Sequence, residues 1–232
     1  MLSDPGTILG IDTSTGACSI AVCKRGVMLA HLHESMTRGQ SERLAPMVEE
    51  GIAIAGIGFP DLDFVAVTRG PGSFTGLRIG MAFAKGLGQA LGIPVFGVTG
   101  FAAVARAALA LEDTASHGVA VVLESRRSDL FLQIFAADGV PDGPPVALPT
   151  EDIAAKLLQD HPFPLLLAGD AADKVQAVLD QQGATIAHSP ATTPDARQVS
   201  LIALVMAAGG ETPLPVQPLY LRAPDVTAPR TA

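Results

Sequence analysis

The sequence has little charge, few cysteines and no excess of basic residues. Charged residues make up 16% of its 232 positions, and hydrophobic residues make up 48%. This balance excludes an intrinsically disordered chain, because such chains combine low hydrophobicity with high net charge. The formal net charge of −8 also argues against a surface that holds nucleic acid unaided, since that affinity depends largely on Lys and Arg. Any RNA role is therefore expected to need a partner.

The sequence also lacks the patterns of a disulfide and of a membrane span. Its two cysteines, Cys18 and Cys23, lie five residues apart in one apolar stretch. In a strand they would point to opposite faces and lie too far apart for a bridge. No uncharged run of about 18 apolar residues occurs, and the chain does not open with a cationic and apolar leader. We therefore expect a cytoplasmic protein.

Both halves of the chain alternate apolar strands with amphipathic helices. Apolar runs separated by turns predict an antiparallel meander over residues 8–33, and helices and strands follow to residue 111. The second half repeats this order loosely. The pattern predicts an α/β protein of two lobes facing a cleft. We place an N-terminal lobe in residues 1–103 and a smaller C-terminal lobe, with a proline-rich tail, in residues 104–232.

Two polar segments are candidates for holding a nucleotide phosphate. Asp12-Thr13-Ser14-Thr15 joins two predicted strands and offers a carboxylate, hydroxyls and backbone N–H groups, which suit a magnesium-bound phosphate. An ordinary polar hairpin is the alternative. The glycine-rich segment 70–76 precedes a helix, where anions bind, or else permits close packing of that helix on the sheet. It matches neither a P-loop nor a dinucleotide-binding motif.

The helix predicted over residues 74–91 is apolar on nearly every side, interrupted only by Arg78, Lys85 and Gln89. Such a helix must be buried on nearly every side. Small residues spaced by four, at Gly80, Ala84 and Gly88, would also let another helix approach closely. The pattern favours an interface with another protein over burial beneath the second lobe.

The sequence shows no convincing catalytic or metal-binding constellation. No pair among its five histidines has the helical spacing of a metal site, and no Gly-x-Ser-x-Gly motif occurs. His31 and His33 can share one strand face, without a third ligand nearby in the sequence. We predict no catalytic residues and no metal ligands.

Three segments, in this order along the chain, carry a family resemblance: residues 8–14 (ILGIDTS), 69–80 (RGPGSFTGLRIG) and 218–222 (PLYLR). Together they resemble the TsaB family, formerly called YeaZ, of tRNA threonylcarbamoyladenosine biosynthesis proteins. The resemblance implies an α/β fold of the actin and Hsp70 type, with two ribonuclease H-like lobes, each a mixed sheet flanked by helices. Two positions depart from the family pattern, Gln40, near which a histidine is frequent, and Glu124.

The resemblance implies an accessory role in adding threonylcarbamoyl to adenosine 37 of tRNA. The TsaB-like subunit binds and activates its homologue TsaD, which holds the metal and transfers the group, and the ATPase TsaE joins them. TsaD carries a His-x-x-x-His metal pair on its first long helix. The corresponding residues of this chain, 38–46, include no histidine. The resemblance further implies tRNA contact only through the complex, a homodimer when TsaD is absent, and ATP or ADP with magnesium at the assembly interface.

The resemblance also implies which residues act. The first two helices of the N-terminal lobe pack against the equivalent pair in TsaD, which places the following residues at or near that contact: Leu44, Met47, Val48, Phe74, Leu77, Arg78, Met81 and Lys85. A vestigial nucleotide site would consist of Asp12, Thr13, Ser14, Gly70 and Gly72. Two alternatives remain open: an independent enzyme, either an ATP phosphotransferase or a glycoprotease, and a self-associating scaffold.

Overall fold

Two five-stranded sheets form the framework of the computed structural model, which describes residues 6–111, 117–125, 127–159, 164–211, 213 and 216–221. The first sheet consists of β1 (Thr7–Asp12), β2 (Ala17–Lys24), β3 (Val27–Ser35), β4 (Phe64–Thr68) and β5 (Val95–Val98), in the order β3-β2-β1-β4-β5. Strands β1 to β3 pair antiparallel, whereas β4 and β5 run parallel to β1. The predicted meander is confirmed.

The second sheet repeats the first. It consists of β6 (Gly118–Glu124), β7 (Asp129–Phe135), β8 (Val146–Pro149), β9 (Leu165–Ala168) and β10 (Ala187–His188), in the order β10-β9-β6-β7-β8. Strands β6 to β8 form an antiparallel meander, and β9 and β10 extend it in parallel. Each strand therefore has the place of its counterpart in the first sheet, and the predicted α/β fold with two lobes, each a mixed sheet flanked by helices, is confirmed.

Helices flank both sheets. They are α1 (Gln40–Ile54), α2 (Phe74–Leu91), α3 (Gly100–Leu111), α4 (Thr150–Leu157), α5 (Ala172–Gln181) and α6 (Ala196–Ala208), with a short 3₁₀ helix at Phe59–Asp61. Hydroxyl caps fix two helix starts, because Ser73 accepts a hydrogen bond from Gly76 N at 3.4 Å and Thr99 accepts one from Ala102 N at 3.1 Å. In the part of the chain that the structure describes, no helix has the length and apolar character needed to cross a bilayer.

The last helix returns to the first sheet. Side chains alternate along β1, so that Leu9 and Ile11 join the core beneath α1 and α2 while Ile8 faces the other side. There Ile8 packs with Val199 and Ala203 of α6. A division at residue 103 assigns α6 to the second lobe, and this assignment is corrected here. The second apolar face of the first sheet needs a cover, and α6 supplies it.

Both cysteines lie within β2, as its pattern predicted. Cys18 belongs to the cluster beneath α1 and α2, and Cys23 belongs to the cluster beneath α6. The two thiols thus point to opposite faces of the sheet, and both are free. Burial raises the pKa of Cys18 to about 11 and also raises that of Cys23. Their role is packing, in accordance with the sequence.

Candidate functional site

The turn between β1 and β2 lies directly against the glycine-rich loop that starts α2. Ser73 N–H donates to the Ser14 carbonyl oxygen at 2.7 Å, and the Thr13 hydroxyl donates to the Gly76 carbonyl oxygen at 2.7 Å. A Cβ atom on Gly72 would lie 2.4 Å from the Ser14 carbonyl oxygen, and one on Gly76 would lie 2.0 Å from that of Thr13. Only glycine permits this approach. Of the two interpretations of residues 70–76, close packing accounts for these two glycines.

Gly70 has a different reason to be glycine. Its φ of +114° lies in the region that residues with a side chain rarely adopt, and its peptide bond to Pro71 is cis. Gly100 N–H donates to the Gly70 carbonyl oxygen at 2.7 Å, and Leu219 N–H donates to the Arg69 carbonyl oxygen at 2.7 Å. The loop therefore joins the start of α3 and the end of the described chain to the first lobe.

Asp12 ends β1 in a fully buried position. Burial raises its pKa to about 6, although the Ser14 hydroxyl, which donates to Asp12 Oδ1 at 2.6 Å, offsets part of this effect. The side chains of Asp12, Thr13 and Ser14 are each at most 2% exposed. They bind one another and the start of α2 instead of facing the solvent.

A magnesium-bound nucleotide, which a fold of the actin type implies, does not fit among these side chains. The β1–β2 turn and the glycine-rich loop touch, as the contact of Gly72 with Ser14 shows, so no phosphate can lie between them. The predicted nucleotide role of Asp12, Thr13, Ser14, Gly70 and Gly72 stays a prediction. The geometry disfavours it for the three buried side chains and leaves only the outer edge of the turn accessible.

A cleft of about 530 Å³ opens beside this turn, between the lobes. Its first-lobe wall includes Phe74 and Arg78, and residues 219–221 close one side. The Arg78 guanidinium lies 3.7 Å from the centre of the Phe74 ring. The Tyr220 ring stacks on the same ring, with 6.3 Å between the two ring centres. Phe74 and Tyr220 are 54% and 53% exposed. Stacked aromatic rings with a cation at the mouth of a cleft are suited to binding another molecule.

The second-lobe wall of the cleft carries charges of both signs, with Glu124 and Asp170 beside Arg127. Glu124 N–H donates to Asp170 Oδ1 at 2.9 Å, and Lys174 forms an ion pair with the Glu124 carboxylate. Burial raises the pKa of Asp170. Sequence reasoning missed Asp170, which follows β9 and lies 46 residues from Glu124 along the chain. The cleft therefore has an arginine on each wall, Arg78 and Arg127, with the two carboxylates on the second-lobe wall.

Five of the eight residues assigned to a partner contact lie in the core of the first lobe. The five are at most 4% exposed and belong to the core between these two helices and the first sheet: Leu44, Met47, Val48, Leu77 and Met81. Side chains buried this deeply do not reach the protein surface, so their role in a partner contact stays a prediction. Helical periodicity alone does not show which apolar side of a helix faces the sheet. In α1 and α2 it is the side that carries these five residues. Phe74, Arg78 and Lys85, by contrast, are exposed.

The small residues of α2 also face the protein's own sheet. A Cβ atom on Gly80 would lie 2.5 Å from Thr13 Oγ1, and one on Gly88 would lie 2.5 Å from Val95 Cγ2. Ala84 between them is completely buried. The prediction that this row lets a partner helix approach was wrong. It lets α2 lie close to β1, β4 and β5 instead.

The outer sides of α1 and α2 together form what we call the helix-pair surface. Its exposed residues are Glu42, Ala45, Pro46, Glu49 and Ala53 on α1, and Phe74, Arg78, Ala82, Lys85 and Gln89 on α2. The α1 side carries acidic groups and the α2 side carries basic ones. Partly buried Ile79, Phe83 and Leu87 add apolar area to the α2 side. This surface is the part of the two helices that a partner could reach.

A second cluster joins His31 and His33 to a residue that sequence reasoning missed. His31 Nε2 lies 3.0 Å from Asp195 Oδ2, and His33 Nδ1 lies 3.2 Å from the same oxygen. Asp195 is more than 160 residues away along the chain, so no local pattern connects the three. Of the other histidines, His188 bonds to Gln176, and His161 lies outside the described residues.

Comparison with known proteins agrees with this fold. The family model described as TsaD: tRNA N6-adenosine threonylcarbamoyltransferase matches residues 31–139. The tRNA threonylcarbamoyladenosine biosynthesis protein TsaB of Haemophilus influenzae is 37% identical over 125 residues, which cover 54% of this chain. The match spans about half of that relative, 52% of its length.

Two further likenesses extend over nearly the whole chain. An uncharacterized protein of Mycobacterium tuberculosis is 34% identical over 223 residues, which cover 94% of this chain and 93% of that protein. The solved structure of YeaZ from Pseudomonas aeruginosa superposes with a TM-score of 0.79 at 28% identity, over 93% of this chain and 100% of that one. The duplicated fold, the ordered motifs and these likenesses agree: the chain belongs to the TsaB (YeaZ) family, whose named members are tRNA threonylcarbamoyladenosine biosynthesis proteins.

Proposed function

We propose that this chain is a non-catalytic subunit in tRNA threonylcarbamoyladenosine synthesis that binds and activates a TsaD-type threonylcarbamoyltransferase, together with the ATPase TsaE. One observation carries the proposal. Phe74, at the start of α2, remains 54% exposed beside Arg78 on the helix-pair surface. Aromatic and arginine side chains contribute most of the binding energy at protein interfaces, so this pair is suited to anchor a partner.

The charges of the helix-pair surface support a homologous partner. Glu42 and Glu49 lie on α1, while Arg78 and Lys85 lie on α2. Arg43 does not alter this division, because Glu34 and Glu50 hold its guanidinium in ion pairs. If a homologous helix pair docks about a two-fold axis, each acidic helix meets a basic one. The same complementarity supports a homodimer when the transferase is absent.

Two features of the first lobe support an accessory role. The stretch 38–46, where TsaD carries its two metal-binding histidines, contains no histidine in this chain. Asp12, the carboxylate that an ATP-dependent enzyme would use, is fully buried and bonded to Ser14. These two features favour action through a partner over chemistry by this chain.

The test is tRNA threonylcarbamoylation reconstituted from cognate components, with wild-type protein, no protein, and a Phe74→Asp variant. Phe74 is half exposed, so the substitution should leave the fold intact, whereas a charge desolvated at a contact costs several kcal/mol. We expect modification to be lost without the protein and with the variant. Circular dichroism checks that the variant is folded.

The matched control is Val205→Asp. Val205 is 63% exposed on α6, which covers the opposite face of the first sheet, so this variant should retain full activity. Full activity of Phe74→Asp would remove that residue from the contact, and full activity without the protein would refute the proposal. Turnover of ATP or peptide by the isolated chain, abolished by Asp12→Ala, would instead favour an independent phosphotransferase or glycoprotease.

A further inference from the structure

Two imidazoles and a carboxylate converge where β3 meets the first turn of α6. The distances of His31 Nε2 and His33 Nδ1 from Asp195 Oδ2 are 3.0 Å and 3.2 Å, and the three ligand atoms all lie within 4.8 Å of one another. Zinc ligands at about 2.0–2.1 Å from a tetrahedral ion stand roughly 3.3 Å apart. The two separations from the carboxylate oxygen are therefore close to those of a metal site.

The fold holds these three groups in place. His31 and His33 are two residues apart on strand β3 and so share one face of the sheet. Asp195 is the N-cap of α6, and its Oδ1 accepts a hydrogen bond from Arg197 N–H at 2.7 Å. That bond orients the carboxylate so that Oδ2 is directed at the imidazoles. Outer hydrogen bonds of this kind commonly orient metal ligands.

We propose that His31, His33 and Asp195 form a binding site for a divalent transition-metal ion, with Zn²⁺ as the ion that this ligand set suits best. Imidazole and carboxylate are established zinc ligands, and water would complete a tetrahedron. The three side chains are 20%, 36% and 27% exposed, so an ion can enter from solvent. A bound ion would join strand β3 to the helix that returns from the second lobe. The inference is independent of the proposed function.

Arg197 competes with the ion. Its Nη2 atom lies 2.9 Å from His31 Nδ1, so that nitrogen accepts a hydrogen bond and Nε2 carries the proton that faces Asp195. Metal binding needs the lone pair of Nε2, which requires the proton to move to Nδ1 and Arg197 to turn away. Arg197 is exposed, so this movement is open to it. Removing its guanidinium should therefore strengthen metal binding.

The test is calorimetric titration of the full chain, carrying no histidine tag, with Zn²⁺ alone. We expect one ion per chain, and a visible spectrum of the tetrahedral type when Co²⁺ replaces zinc. His33→Ala should weaken binding at least about tenfold, since one of three protein ligands is lost. Asp195→Asn should do the same while the helix remains capped, because asparagine is as good an N-cap as aspartate.

Two further variants complete the design. His188→Ala removes an exposed histidine outside the cluster and should bind Zn²⁺ as the wild type does. Arg197→Ala should bind it more tightly. The proposal is overturned if the wild type takes up no stoichiometric ion, if His33→Ala and His188→Ala bind equally, or if Arg197→Ala binds more weakly. Zn²⁺ should also raise the thermal unfolding midpoint of the wild type by several degrees, and at the same concentration it should raise that of His33→Ala less.

Discussion

Replacing Asp12 by Asn should stabilise the protein at neutral pH, because Asp12 carries its charge in a fully buried position. Burial raises the pKa of this carboxyl from 3.8 to about 6. The difference corresponds to about 3 kcal/mol of unfolding free energy, which the wild type loses once the carboxyl is ionised in both states. Asparagine carries no charge, and its side-chain oxygen can still accept the hydrogen bond from the Ser14 hydroxyl.

The sign of the pH dependence identifies the cause. Between about pH 4 and pH 6 the folded protein holds the Asp12 proton more tightly than the unfolded chain does, so wild-type stability falls as the pH rises through this window. The variant lacks this contribution. Its advantage over the wild type should therefore increase by about 1.4 kcal/mol from pH 5 to pH 7, whatever constant effect the amide adds.

Urea unfolding followed by far-ultraviolet circular dichroism at pH 5, 6 and 7 measures this difference. The control is Asp173→Asn. The Asp173 side chain is 99% exposed, so its charge carries no burial cost and removing that charge should not stabilise the protein in this way. If Asp12→Asn and the wild type differ by the same free energy at pH 5 and pH 7, the reasoning from burial is refuted.

Two further predictions concern α2. Gly76→Ala should destabilise the protein by about 3 kcal/mol or more, since its Cβ would lie 2.0 Å from a carbonyl oxygen of the β1–β2 turn. Gly86→Ala lies in the same helix, and its new Cβ atom would have nothing within 4 Å. This substitution should stabilise the protein by up to about 1 kcal/mol, because alanine favours a helix more than glycine does. Urea unfolding of both variants measures the two changes in stability. Met81→Asp should unfold the first lobe, because Met81 is 4% exposed and the new charge would have no partner in the core. A far-ultraviolet circular dichroism spectrum and a resistance to urea like those of the wild type would contradict the placement of Met81 in the core.

Much of the fold was predictable because the decisive signals are local. Apolar runs and turn residues define the meander of β1 to β3, and Ser73 and Thr99 cap the helices that follow them. The repetition of the strand order in the second half follows from the same alternation. Each of these features involves residues that are close along the chain.

The errors have one physical source, the identity of the neighbour that covers an apolar face. Periodicity shows that α2 must be buried but does not show that Met81 and Gly80 face its own sheet. It likewise does not show that α6 crosses back to the first sheet. The contact of Asp195 with His31 and His33 has the same character, because residues 162 and 164 apart meet only through tertiary structure.

The return of α6 means that the two structural repeats are not two folding units. A fragment ending at residue 111 would keep all five strands of the first sheet and three helices, yet it would leave Ile8, Ala66 and Phe96 facing water. The second half, in turn, would carry α6 without the surface that buries Val199. The two sheets share one topology, and α6, which follows the second sheet along the chain but covers the first, makes them a single cooperative unit.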